Sequence, residues 1–178
     1  MTTPHGLGQL IEPGTLRMER TLPAPIERVW AYLTDPEKRA TWLAGGTMAQ
    51  QAGGVFELRF EHTKLTDEEA PERFAGYRKP HLQKSRLLRS EPPTLLTISW
   101  DEGPASSEVT FELTPQGDNS TQLVLTHRRL ADRKETLSVA GGWHAHLDVL
   151  IDVVQGKKPQ GFWTNLEAVE KAYEAQLR

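Results

Sequence analysis

The stretch Met18-Glu-Arg-Thr-Leu-Pro-Ala-Pro-Ile-Glu-Arg-Val-Trp-Ala-Tyr-Leu-Thr-Asp-Pro-Glu-Lys-Arg-Ala-Thr-Trp42 decides the fold. It reads as an edge strand, a proline turn, a short amphipathic helix and a second helix opened by an Asp-Pro pair. Ile26, Val29, Trp30 and Leu33 recur at helical spacing and make one apolar stripe. Thr34-Asp35-Pro36-Glu37 stops that helix and starts the next, because Asp35 suits the N-cap and Pro36 the first helical position. This order marks a fold built around an interior pocket.

Outward from this stretch, Thr15 to Leu22 is the first strand, and residues 1–14 form a tail lying along the surface of a single domain spanning 15–178. Gly45-Gly46 and Gly53-Gly54 are turns flanking a short strand. Val55 to His62 alternates, with Phe56, Leu58 and Phe60 on one side. Residues 63–83 are polar and long for a connection, either a flap or a segment carrying a short helix. Strands follow at Ser85–Arg89, Thr94–Trp100, Ser107–Thr114 and Thr121–Arg128, with a hairpin turn at Gly117-Asp118-Asn119. From about Leu137 the period becomes helical, with Val139, Trp143, Leu147, Leu150 and Val154 on one face and His146 beside them. A final helix runs from about Thr164 to Leu177, opened by Thr164 or Asn165.

The fold class is therefore α+β: a curved antiparallel sheet of about six to seven strands wrapped round a long C-terminal helix. A sheet that curves round a helix leaves a gap, lined by inward strand residues and one helix face. The expected wall is Phe56, Leu58, Phe60, Leu96, Ile98, Trp100, Val109, Phe111, Leu123, Leu125 and His127 from the strands. Trp143, His146, Leu147 and Leu150 complete it from the helix, and Trp42 closes the mouth.

Composition narrows the function. The 178 residues carry a net charge of −3 and no block of like-signed charge, which argues against nucleic acid as a partner. There is no cysteine, so disulfides and thiolate chemistry are excluded, in keeping with a cytoplasmic location. No apolar run approaches the roughly 20 residues of a membrane span. Gly-x-Ser-x-Gly, His-Glu-x-x-His and Walker-type motifs are missing, and the Gly-Gly pairs are turns rather than phosphate loops.

Arg20-Thr-Leu-Pro-Ala-Pro-Ile-Glu-Arg-Val-Trp-Ala-Tyr-Leu-Thr-Asp-Pro-Glu, Gly53-Gly-Val-Phe-Glu-Leu, Glu91-Pro-Pro-Thr-Leu-Leu, Ser107-Glu-Val-Thr-Phe-Glu-Leu-Thr-Pro, Leu123-Val-Leu-Thr-His and Gly141-Gly-Trp-His-Ala-His-Leu occur in this order. With these segments the chain resembles the activator of heat-shock protein 90 ATPase homologue-like family. That family lies in the helix-grip (START-like, SRPBCC) superfamily with lipid-transfer, polyketide cyclase and birch-pollen-allergen-like domains. The resemblance implies a helix-grip domain, and ligand-binding or stress-related members. It brings no shared catalytic motif. In the co-chaperone that names the family such a domain follows a separate N-terminal domain, for which this sequence is expected to leave no room.

Three functions follow as expectations. One is non-enzymatic binding of a small apolar or amphipathic molecule, without cofactor or metal. Another is a cyclase- or hydrolase-like enzyme in which His127 works as acid or base with His146, the two meeting at one end of the pocket, or with a nearby carboxylate. The third is a protein-interaction domain with a chaperone partner. His144 and His146 are two apart on a helix and point to different faces, so they do not share a metal. His144 and Asp148, four apart, read as a solvated surface pair.

Overall fold

The computed structural model describes residues 6–177. Its sheet has seven strands: β1 (Gln9–Glu12), β2 (Thr15–Leu22), β3 (Val55–Phe60), β4 (His81–Glu91), β5 (Leu95–Trp100), β6 (Ser107–Pro115) and β7 (Thr121–Arg128). All neighbours are antiparallel, in the order β1-β2-β7-β6-β5-β4-β3. The helices are α1 (Ile26–Thr34), α2 (Pro36–Arg39), α3 (Arg133–Val153) and α4 (Phe162–Gln176). The architecture is the curved sheet with a long C-terminal helix read from the sequence, which is the helix-grip fold.

Local chemistry sets the boundaries. Val29 and Leu33 are the buried stripe of α1. The Asp35 carboxylate caps α2 by accepting from the backbone N–H groups of Glu37 and Lys38. Asp132 caps α3 through the Glu135 N–H at 2.8 Å, and the Glu135 carboxylate reaches back to the Ala131 N–H at 2.6 Å. The 21 residues of α3 are long enough, at about 30 Å, to cross the sheet. The apolar faces of strands and helices join in one core that includes Leu16, Met18, Leu123, Leu125, Leu147 and Leu150.

Several readings need correction. Residues 9–12 are not part of an irregular tail: they form β1, turned back by Gly14 at φ +78°. All four are exposed, so no apolar alternation advertises the strand. β2 is consequently internal, flanked by β1 and β7, and not an edge. No strand forms between the two Gly-Gly pairs. Instead Gly45 makes a single bridge to Arg59, and Gly53 and Gly54 bond to Leu87. At Gly46, φ is +100° and a Cβ would lie 2.0 Å from the Glu57 carbonyl oxygen, so only glycine fits. β3 ends at Phe60, and β4 starts at His81 rather than Ser85. α3 starts at Arg133, one polar turn ahead of its apolar period. α4 starts at Phe162, because its cap comes from another part of the chain.

Candidate functional site

Between the β3–β5 end of the sheet, α3 and α4 lies a cavity of about 200 Å³. The sheet contributes Phe60, His81, Gln83 and Trp100, and α3 contributes Ser138, Val139, Gly142, Trp143 and His146. The first turns of α4 supply Phe162, Trp163, Leu166 and Glu170. The connection from β3 to β4 forms the roof with two short 3₁₀ turns, His62–Lys64 and Glu72–Arg78, bringing His62, Phe74 and Tyr77 to the cavity.

The wall is a continuous set of rings. Trp100 and Trp143 are 4.9 Å apart between centroids, Phe60 stacks on His81 at 5.0 Å, and Phe74 stacks on Trp163 at 5.3 Å. His62 touches Tyr77, Trp163 and Phe162 at 5.0, 5.2 and 5.3 Å. His146 touches Phe162 at 4.9 Å and His62 at 5.5 Å. Such edge and offset contacts suit aromatic pairs and make a rigid wall.

The roof is tied to α4. The Glu68 carboxylate accepts from the Thr164 N–H at 3.0 Å and from the Thr164 hydroxyl, and the Thr66 hydroxyl accepts from the Phe162 N–H at 3.2 Å. The Thr164 hydroxyl bond, joined by backbone N–H donors, holds the Glu68 carboxyl below the usual carboxylate range. Gly161 permits this approach, since a Cβ there would fall 2.4 Å from the Glu68 carboxyl carbon. Further along, Arg73 pairs with Glu170 at 2.7 Å and lies over the Phe74 ring.

Burial keeps the His62 and His146 imidazoles neutral. It pushes His62 down to about 3, with His146 and His81 adding repulsion, and His146 down to about 4 against the opposing pull of the Trp42 carbonyl. His146 Nδ1 donates to that carbonyl at 2.8 Å, which leaves Nε2 as an acceptor.

Of the residues expected at the pocket, Phe60, Trp100, Trp143 and His146 line the cavity. Phe56, Leu58, Ile98, Phe111, Leu125, Leu147 and Leu150 belong to the packed core instead. Trp42 is fully buried and does not close a mouth; its indole N–H donates to the Tyr32 carbonyl at 2.7 Å. His127 is also fully buried, between the Ser107 hydroxyl at 2.7 Å and the Trp143 indole N–H at 3.0 Å. Among the described residues no contact joins His127 to His146, so the expected acid–base pair does not assemble. Sequence reasoning missed His62, Phe74, Tyr77, His81, Phe162 and Trp163. The signal was present: the segment read as a polar connection carries Phe74, Tyr77 and His81 just after His62, and a Phe-Trp pair opens the last helix.

His144 is a further correction. It is 0% exposed and not on a solvated face. Its Nδ1 receives the Tyr173 hydroxyl at 2.8 Å and lies 3.2 Å from Arg20, while Tyr173 accepts from the Gly8 N–H at 2.8 Å. Asp148 lies 3.7 Å from His144 Nε2 and accepts from Asn165 at 2.8 Å. This buried polar cluster ties β2, α3 and α4 together and stands apart from the cavity wall. Among the described residues, no group of three or more His, Asp or Glu is placed to hold a metal ion, and no helix is long and apolar enough to cross a membrane.

A curved sheet gripping a helix, with a ring-lined cavity between them, defines a helix-grip protein of the SRPBCC-like class. The chain belongs to the family described as Activator of Hsp90 ATPase homolog 1-like protein, which matches residues 23–155. A solved structure of the protein encoded by gene BPP1335 from Bordetella parapertussis is 50% identical, covers 98% of this chain and 94% of its own, and superposes with a TM-score of 0.82. CalU16 from Micromonospora echinospora is 26% identical, with 98% of each chain covered and a TM-score of 0.69. Protein EF2215 from Enterococcus faecalis, 18% identical with 96% of this chain and 88% of its own covered, shares the fold at a TM-score of 0.67. No curated protein matches the chain.

Proposed function

We propose that this protein binds a small apolar or amphipathic molecule in the cavity beneath the 62–80 segment. The observation that carries the reading is the cavity itself: about 200 Å³ walled by the rings of Phe60, Trp100, Trp143, Phe162 and Trp163. A cavity of this order holds a compact ligand: its rings supply apolar contact, and the polar groups in its wall orient it. The size favours a one- or two-ring molecule over a long acyl chain. Membership of an SRPBCC-like family agrees with ligand binding and adds no catalytic residues. The reading needs no proton transfer, since the neutral imidazoles act as hydrogen-bonding groups.

The test is native mass spectrometry of the full chain with solvent extraction of anything bound, followed by benzene soaking of its crystals. A co-purifying small molecule, or benzene density among Trp100, Trp143 and Trp163, is the expected result. A cavity filled by its own side chains, with neither bound molecule nor density, overturns the proposal.

A further inference from the structure

His62 and His146 set the ligand's chemistry, on the assumption that the cavity is the binding site. His62 is 7% exposed and His146 8% exposed, yet both border the cavity. Among the described residues, neither ring nitrogen of His62 has a protein hydrogen-bond partner, and His146 uses only Nδ1, on the Trp42 carbonyl. These unpaired nitrogens are not sealed within the protein, so their partners are expected from what fills the cavity. The remaining capacity is specific. His146 Nε2 accepts, because its Nδ1 carries the proton; a neutral His62 offers one N–H and one lone pair. With ring centroids 5.5 Å apart, the two imidazoles are close enough for one oxygen to reach a nitrogen of each.

A hydroxyl can donate and accept at once, as this gap requires. A carboxylate only accepts and leaves His146 Nε2 facing a like lone pair. An ammonium only donates. Among the described residues, the one carboxylate on the wall, Glu170, is already held by Arg73 at 2.7 Å. On the same wall, the Trp100–Trp143 pair offers aromatic surface for the rest of the molecule. We infer that the ligand is a neutral, hydroxyl-bearing aromatic molecule whose hydroxyl sits between His62 and His146, accepting from the His62 N–H and donating to His146 Nε2.

Toluene, p-cresol and p-toluate, titrated into the full chain at neutral pH and followed by the ¹⁵N signals of the two imidazoles and the Trp143 indole, test this. p-Cresol is expected to bind about tenfold more tightly than toluene, the worth of two neutral hydrogen bonds, and to shift both imidazoles. His62→Phe should erase most of that preference while keeping toluene binding. Equal affinity for cresol and toluene overturns the hydroxyl assignment and leaves cavity binding standing. Tightest binding of p-toluate overturns it in favour of an anion. No binding of any of the three at millimolar concentration overturns cavity binding together with it.

Discussion

The Trp143 indole N–H donates to His127 Nδ1 over 3.0 Å, and this bond fixes the protonation state of a buried histidine. An indole nitrogen only donates, so Nδ1 carries a lone pair, and the proton on Nε2 points to the Ser107 hydroxyl at 2.7 Å. Burial lowers His127 to about 4, and the same cause lowers His146 to about 4. The unfolded chain, with ordinary histidines, binds more protons than the native chain between these values and about 6.5. Stability is therefore complete above about pH 6.5 and declines as the pH falls toward 4. Each of these two imidazoles should cost about 2 kcal/mol between pH 7 and pH 5. Urea denaturation at the two pH values checks it, and a flat profile would show that the imidazoles are not held neutral.

Gly142 leaves open space inside a helix. It borders the cavity, and a Cβ there would meet no atom within 4 Å, whereas at Gly141 one would lie 3.1 Å from Glu170 Cγ of α4. Gly142→Ala should stabilise the protein by about 0.5–1 kcal/mol through helix propensity. Gly142→Leu should project into the cavity and weaken toluene binding at least about tenfold, an expectation of steric filling. Denaturant melts and NMR titration of both variants separate the effects. Undiminished toluene binding by a folded Gly142→Leu protein would place the probe elsewhere.

Six of the seven strands and the two helices after β2 were legible because they rest on local periodicity and punctuation. Phe56, Leu58 and Phe60 alternate, and Asp35-Pro36 opens α2, both within a few residues. The cavity was only half legible. Inward alternation identifies a buried face but not whether its neighbours fill the space, so Phe111 and Leu125 are core whereas Trp100 lines a void. The roof was legible only as a flap or a segment with a short helix; its ring-bearing wall and its anchorage were not. Its order comes from pairings such as Glu68 with Thr164 and Arg73 with Glu170, separated by 96 and 97 residues. Arg20 and His144, 124 residues apart, meet for the same reason in a place where sequence suggests a surface.

Arg39 is a buried cation bound by carbonyl oxygens. Nε donates to Ala44 at 2.9 Å, and Nη2 donates to Gly45 at 3.2 Å and also to Gly46. Burial lowers it to about 10, so it remains charged at neutral pH. It folds the chain that carries Trp42, whose carbonyl orients His146, and Leu43 of the cavity wall. Arg39→Met removes the donors and leaves buried carbonyls unpaired, at a cost of about 3 kcal/mol or more. Arg39→Lys cannot reproduce the fork and should recover only part of this. Urea midpoints of both variants decide the point; a loss under 1 kcal/mol for Arg39→Met would contradict a structural role.

Glu68 holds the roof by acting as the missing cap of α4. Gly161 offers no side-chain oxygen, so the orphan N–H groups of the first turn find Thr66 and Glu68 of the β3–β4 connection. The carboxylate also faces the positive end of the helix. Glu68→Ala should cost about 1 kcal/mol, the usual worth of a cap. Its larger effect should be local: amides of residues 66–78 lose protection while those of β6 and β7 keep theirs, because the roof contributes little to the central core. Ligand dissociation should accelerate in step if the roof controls entry. Hydrogen exchange by mass spectrometry, with and without p-cresol, reads both quantities. Equal protection of 66–78 in wild type and variant would mean that the Arg73–Glu170 pair and the packing of Phe74 on Trp163 hold the roof without the cap.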